Sequence, residues 1–125
     1  MVLVDTDVLI WYMRGNPKAK KAIDELGQFS ISAINYMELV QGLRNSEELR
    51  VLHDFIKKRR ISLIHTNEEI SRRAVLLMEQ FSLSNGLRMA DALVAATAVS
   101  EGLILFTANI RHYSFLNIEM KRFRP

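Results

Sequence analysis

Apolar positions fall in short runs separated by longer amphipathic stretches along the whole chain. Val2 to Val4 reads as a brief buried strand, followed directly by a helix through about Met13. Asn16-Pro17 opens a second helix, with Asn as N-cap and Pro at the first helical position. That helix runs to Leu26 and stops at Gly27. Phe29 to Ser32 reads as a second strand, and Ser32 caps a helix through about Leu43. Asn45 and Glu48 form a capping-box pattern for a helix ending in the basic run near Arg60. Ile61 to Ile64 is a third strand. Thr66 and Glu69 repeat the capping-box pattern before a long helix to about Phe81, with Ser84-Asn85-Gly86 as a loop. Met89 to Glu101 is an Ala-rich helix closed by Gly102. Leu103 to Phe106 is a fourth strand, and Ile118 to Met120 a short fifth.

Strands separated by helices of this length imply right-handed crossovers and a mainly parallel sheet covered on both faces. The expected fold is therefore α/β, a three-layer α/β/α sandwich with a mainly parallel sheet of four to five strands. In such sheets ligands bind beyond the carboxyl ends of the strands.

Composition narrows the classes. The 125 residues suit one domain, 1–125, with no linker, repeat or low-complexity tract. Hydrophobic residues at 49% and charged residues at 25% exclude a disordered chain. No stretch approaches ~20 apolar residues, so no membrane span is expected. The opening MVLVDTDVLI lacks a basic n-region and carries two acids, unlike a signal peptide. Cysteine is absent, which excludes disulfide frameworks, zinc-thiolate sites and cysteine nucleophiles, and a cytoplasmic protein is expected. The net charge of +3 is compatible with nucleic acid. The positive residues cluster at Lys18–Lys21, at Lys57 to Arg60 and at Lys121 to Arg124, where solvated faces are the plain alternative.

The acids carry more information. Of the 14, all but four have polar or basic neighbours or sit at caps. Asp5 and Asp7 lie in VLVDTDVLIWY, Glu38 in INYMELVQG and Asp91 in RMADALVAATA. Carboxylates are almost never buried unless paired or bound to a metal. Asp5 ends the first strand and Asp7 starts the helix after it. Glu38 shares a helical stripe with Asn35 and Gly42. Asp91 is in the first turn of the Ala-rich helix, where the macrodipole favours negative charge. Thr107 and Asn109 follow the fourth strand on the same edge. Close carboxylates repel, and a divalent cation removes that repulsion. Oxygen-only ligands point to Mg²⁺ or Mn²⁺ rather than zinc. Such ions activate water and bind phosphate oxygens, so phosphodiester hydrolysis is the expected chemistry. Plainer readings compete: Asp91 pairs with Arg88, and Asp7 is only a helix cap.

Taken in order, VLVDTDVLI, SAINYMELVQGL, RMADALVAATA and LFTANIRHY resemble the PIN-domain family, specifically its small VapC-type toxin ribonucleases. The resemblance covers nearly the whole chain. It implies a metal-dependent endoribonuclease acting on structured RNA such as transfer or ribosomal RNA. It also implies a homodimer, a cognate antitoxin whose tail blocks the site, and products with 5′-phosphate and 3′-hydroxyl ends. By motif, Asp5, Glu38 and Asp91 are the three acids of the metal site, and Thr107 orients it. Asp7 stands where relatives often have Asn, Ser or Asp, and is a supporting ligand. The family commonly has a fourth acid after the last core strand, where this chain has Asn109 and His112; Asn109 brings an amide oxygen without charge.

Arg88, Arg111, His112 and the Lys57 to Arg60 run are the candidate RNA contacts. Trp11 and Tyr12 are expected to pack in the core or a dimer interface, and the helices around Val40 to Leu52 to serve dimerisation. Two other functions compete. D-T-D-V resembles the opening of haloacid-dehalogenase-type phosphatases, although TANIRHY lacks the acidic pair of that family. The lost fourth acid also fits a degenerate PIN module that binds RNA or a partner protein without cutting.

Overall fold

The computed structural model describes residues 1–125. Five short strands, β1 (Val2–Val4), β2 (Ser30–Ser32), β3 (Ser62–Ile64), β4 (Ile104–Thr107) and β5 (Met120–Arg122), form one sheet in the order β3-β2-β1-β4-β5. Every pairing is parallel. The helices are α1 (Thr6–Met13), α2 (Pro17–Leu26), α3 (Ala33–Gln41), α4 (Ser46–Lys58), α5 (Glu68–Asn85) and α6 (Met89–Glu101).

Strand alternation divides the core between the two faces. Leu3 and Leu105 point to one face, where they pack with Ile70 and Ala74 of α5 and with Ala92, Ala95 and Ala96 of α6. Val4, Ile31 and Phe106 point to the other, against Val8 and Leu9 of α1, Ile23 of α2 and Leu52 of α4. The small side chains of α6 let its backbone lie close to both the sheet and α5, and no helix is more deeply buried. α3 touches both α1 and α6 and so bridges the two sides at one end of the sheet. No helix is long and apolar enough to cross a membrane.

The caps explain where most helices start. Asn16 accepts from the amide of Ala19 at 2.9 Å with Pro17 at the first position. Ser32 and Asn35 form a reciprocal box at α3. At α4 the box is half made: Asn45 caps Glu48, but the Glu48 carboxylate takes the Arg44 amide at 2.6 Å and the Arg44 guanidinium instead. At α5 the cap is Asn67 rather than Thr66, and it receives the Ile70 amide at 2.8 Å. That register turns Ile70 into the core.

α5 also continues past Phe81 through Ser84-Asn85, and ends only at Gly86, whose left-handed backbone (φ 67°) closes it. The last turn is held because Phe81 packs on Phe115 and the Leu87 that follows is buried. β5 lies two residues beyond the Ile118 to Met120 expectation, because Phe123 is drawn edge-on against Phe106.

Parallel strands place all carboxyl ends on one edge. The strand order reverses at β1, whose neighbours are β2 on one side and β4 on the other. Chains leaving β1 and β4 diverge there and open the crevice where α/β sheets bind ligands.

Candidate active site

Asp5 follows β1 and is still tied to the sheet, its amide donating to the Phe106 carbonyl at 2.9 Å. It is also the N-cap of α1. Asp7 is in the first turn of α1, its carboxylate accepting from the Val8 amide at 2.7 Å. Glu38 comes from α3, Asp91 from the first turn of α6, and Thr107 from the end of β4. The fold brings all five together.

They are joined through neutral donors. Asn35 is buried, and its amide oxygen is held by the Ser32 amide and hydroxyl at 3.1 and 2.7 Å. That fixes its nitrogen toward Asp5 Oδ1 at 3.1 Å and Thr6 Oγ1 at 3.0 Å. Thr6 in turn donates to Glu38 Oε1 at 2.7 Å. On the other side, Thr107 Oγ1 sits 2.9 Å from Asp5 Oδ2 and 3.2 Å from Asp7 Oδ2. The Ala108 amide also donates to Asp7 at 3.0 Å. The Tyr113 hydroxyl lies 3.0 Å from Asp5 Oδ2 and 3.2 Å from Asp91 Oδ1. His112 Nδ1 stands 3.4 Å from Asp91 Oδ2.

No lysine or arginine neutralises this cluster; the lysine and arginine ion pairs lie elsewhere on the surface, and Asp91 contacts Tyr113 and His112 rather than Arg88. The consequence is electrostatic. Burial, and after it the charge of Asp7, push the Asp5 carboxyl up to about 6 against the pull of its hydrogen bonds from Thr107, Thr6 and Tyr113. Asp7 is raised as well, chiefly by burial, with the Val8 and Ala108 amides opposing. Burial also raises the Tyr113 phenol, reinforced by both aspartates, so it is a neutral hydroxyl.

A buried carboxyl raised by desolvation beside a second carboxylate is a donor set short of positive charge. Its all-oxygen character suits Mg²⁺ or Mn²⁺. No three Asp, Glu or His side chains stand close enough to hold one ion together. Because neutral hydrogen-bonding groups stand between the acids, they suit a cation that keeps part of its water shell, touching one or two carboxylates and reaching the others through water.

Of the other expected residues, Asn109 is exposed and contributes its backbone: its amide donates to Thr107 Oγ1 at 3.0 Å and also faces Asp7. Arg88 is the N-cap residue of α6, and Arg111 and His112 occupy a 3₁₀ turn (Ile110–His112) after β4, all at the site edge. Arg122 joins them, because β5 aligns it with Thr107. Asn109, Arg111, His112 and Arg122 line a hollow of about 110 Å³. The Lys57 to Arg60 run lies elsewhere. It leads into β3, so it occupies the amino edge of the sheet, opposite the acids. Arg59 there binds Asp24 at 3.0 Å and the Ile23 carbonyl at 3.1 Å. Trp11 and Tyr12 pack against the core, Tyr12 5.1 Å from Phe55.

Sequence reasoning missed Tyr113 and Thr6. Thr6 had a signal, being the residue between two acids in DTD. Tyr113 had none beyond its place in TANIRHY, since only the fold reveals that its ring is buried and its hydroxyl reaches two carboxylates.

The PIN domain family model matches residues 2–116, and the chain belongs to that family. It is similar to ribonuclease VapC10 of Mycobacterium tuberculosis, with 34% identity over 90% of this chain and 86% of the relative. It is also similar to ribonuclease VapC1 of Methanocaldococcus jannaschii, with 31% identity over 92% of this chain and 80% of the relative. Among solved structures, a toxin-antitoxin complex from Klebsiella pneumoniae superposes with a TM-score of 0.81, at 25% identity and full coverage of both chains. Membership of this family displaces the phosphatase reading.

Proposed function

We propose that this chain is a divalent-metal-dependent endoribonuclease and the toxin of a toxin–antitoxin pair, cutting structured RNA such as transfer or ribosomal RNA in the cytoplasm. The observation that carries the reading is the buried, positively uncompensated Asp5, linked through Thr107 to Asp7, through Tyr113 to Asp91, and through Asn35 and Thr6 to Glu38. The two relatives named ribonuclease support the reaction class.

Asp5 and Asp91 would hold Mg²⁺ or Mn²⁺, with Asp7 and Glu38 acting through its waters. The ion supplies positive charge against phosphate oxygens and lowers the pKa of water. Thr6 fixes Glu38 through Oε1, which leaves Oε2 to accept a proton from a water approaching phosphorus. Thr107 and the Asn109 amide hold the β4 end against Asp7. Arg88, Arg111, His112 and Arg122 grip the backbone on either side of the cut. With water as nucleophile the 2′-hydroxyl serves recognition only, and if the 3′-oxygen leaves, as the PIN family implies, the products carry 5′-phosphate and 3′-hydroxyl ends.

The antitoxin fits the groove of about 790 Å³ beside Glu38, where Ile10, Tyr12, Leu43, Val51 and Phe55 supply apolar wall and Arg14 and Arg44 positive rim. A second copy fits the exposed Val75, Leu76 and Leu83 of α5, while the α3–α4 region expected to serve dimerisation presents Met37 and Val51. Light scattering of the purified chain reads the dimer.

The test of activity is a cleavage assay on total transfer and ribosomal RNA with Mg²⁺ or Mn²⁺ and then EDTA, alongside Asp5→Asn and Asp91→Asn. Discrete metal-dependent cuts, lost in both variants, are expected. RNA binding without cuts would return the chain to the non-cleaving module that Asn109, in place of an acid, also fits.

A further inference from the structure

The hydrogen bonds of Asp5 occupy the acceptor sites that a cation would use. A carboxylate offers about four lone-pair sites. Asp5 Oδ1 receives the Thr6 amide at 2.9 Å and the Asn35 amide at 3.1 Å. Oδ2 receives the Thr107 hydroxyl at 2.9 Å and the Tyr113 hydroxyl at 3.0 Å. A cation finds a free lone pair on Asp5 only if a donor turns its proton away.

Two of the four donors have somewhere else to go. Asn35 and the Thr6 amide are fixed by Ser32 and by the start of α1. Thr107 is 3.2 Å from Asp7, and Tyr113 is 3.2 Å from Asp91. Each hydroxyl has one proton and two carboxylates within reach, so it serves one at a time. The shorter contact of each is to the buried Asp5.

We infer that the Tyr113 hydroxyl is a placeholder for the cation, donating to Asp5 in the ion's absence and turning to Asp91 when an ion takes Asp5. The inference rests on the metal-dependent reading above. Tyr113 is thus a positioning residue. Its ring is 1% exposed and anchored beside Leu116, so the hydroxyl is held between the carboxylates while its proton rotates.

The sign of its effect on ion binding follows from burial. Asp5 is 7% exposed, and water does not replace a donor lost there. The Asp91 side chain is 24% exposed, and water does. Removing the hydroxyl therefore harms the ion-free protein more than the ion-bound one. The Tyr113→Phe variant should be less stable without the ion and bind it more tightly, by on the order of tenfold for one charge-assisted hydrogen bond.

The experiment is calorimetric titration of wild-type and Tyr113→Phe chains with Mn²⁺ and with Mg²⁺, plus thermal unfolding of both in EDTA and at saturating ion. The expected result is a tighter Kd for the variant and a Tm deficit that shrinks when ion is added. An unchanged Kd with the same deficit in both conditions would mean that the hydroxyl only packs, and would overturn the inference. A weaker Kd would overturn it too, because the hydroxyl would then be holding ligands in place for the ion. If the variant is unfolded in EDTA, recovery of its circular dichroism on titrating Mn²⁺ is the limiting case of support, and failure to recover is refutation. Wild type that binds neither ion defeats the metal reading itself, a separate outcome.

Discussion

Replacing Asp5 with Asn should stabilise the ion-free protein at neutral pH while abolishing its activity. The Asp5 carboxyl stands at about 6 when folded, against an ordinary 3.8. Between those values the folded chain binds more protons than the unfolded one, so stability falls as pH rises through the interval. A shift of roughly two units corresponds to about 3 kcal/mol lost by about pH 7. Asn carries no charge to desolvate, and the surroundings accept it. Its oxygen keeps the Thr6 and Asn35 amides, while its nitrogen takes the place of Oδ2 and donates to Thr107 and Tyr113, whose own protons turn to Asp7 and Asp91 at 3.2 Å each. The assay is urea unfolding in EDTA from about pH 4 to about pH 8, followed by circular dichroism and the single Trp11. Wild type should lose stability across that range. Asp5→Asn should lose less, with a residual slope from Asp7, whose carboxyl is also raised, and should exceed wild type by about 2 to 3 kcal/mol at the upper end. Saturating Mn²⁺ should close the gap by stabilising wild type alone. Parallel pH slopes, or a variant weaker at every pH, would refute an uncompensated Asp5.

Other perturbations separate orientation from charge. Asn35→Ala strands the Ser32 amide and removes a donor from Asp5, so unfolding should cost about 3 kcal/mol less than in wild type, measured by denaturant midpoint. Thr6→Val frees Glu38 from its 2.7 Å donor and takes an acceptor from the Asn35 amide, so kcat should fall about tenfold with KM nearly unchanged and Tm lowered, as steady-state cleavage and thermal unfolding would read. Arg111→Ala with Arg122→Ala should raise KM and lower the salt slope of RNA binding by about two, whereas Lys57→Ala with Lys58→Ala, at the opposite edge of the sheet, should change neither.

Most of the architecture was legible because its signals are local. Asn16-Pro17, Ser32 and Gly102 act within one helical turn and need no tertiary partner. Alternating strands and helices imply a parallel sheet, and a parallel sheet sends Asp5 and Thr107 to one edge, so the convergence of the acids was readable too. The end of α5 and the place of β5 were not. Both are decided by aromatic packing, Phe81 on Phe115 and Phe123 on Phe106, between residues far apart in the chain.

The same division runs through the site. The chain alone determined which side chains carry charge, that thiols are absent, and which acids lie in apolar surroundings. Only the tertiary structure decided what stands between those acids. Tyr113 meets Asp5 across 108 positions, and no local pattern marks a tyrosine whose hydroxyl will be buried against two carboxylates. Strand direction likewise decided which basic residues flank the acids, carrying Arg122 to their edge and Lys57 to Arg60 to the other. Helix caps and hydrophobic periods act over a few residues and are written in sequence order, whereas burial, and the raised Asp5 carboxyl that follows from it, belongs to the packed assembly of all three layers.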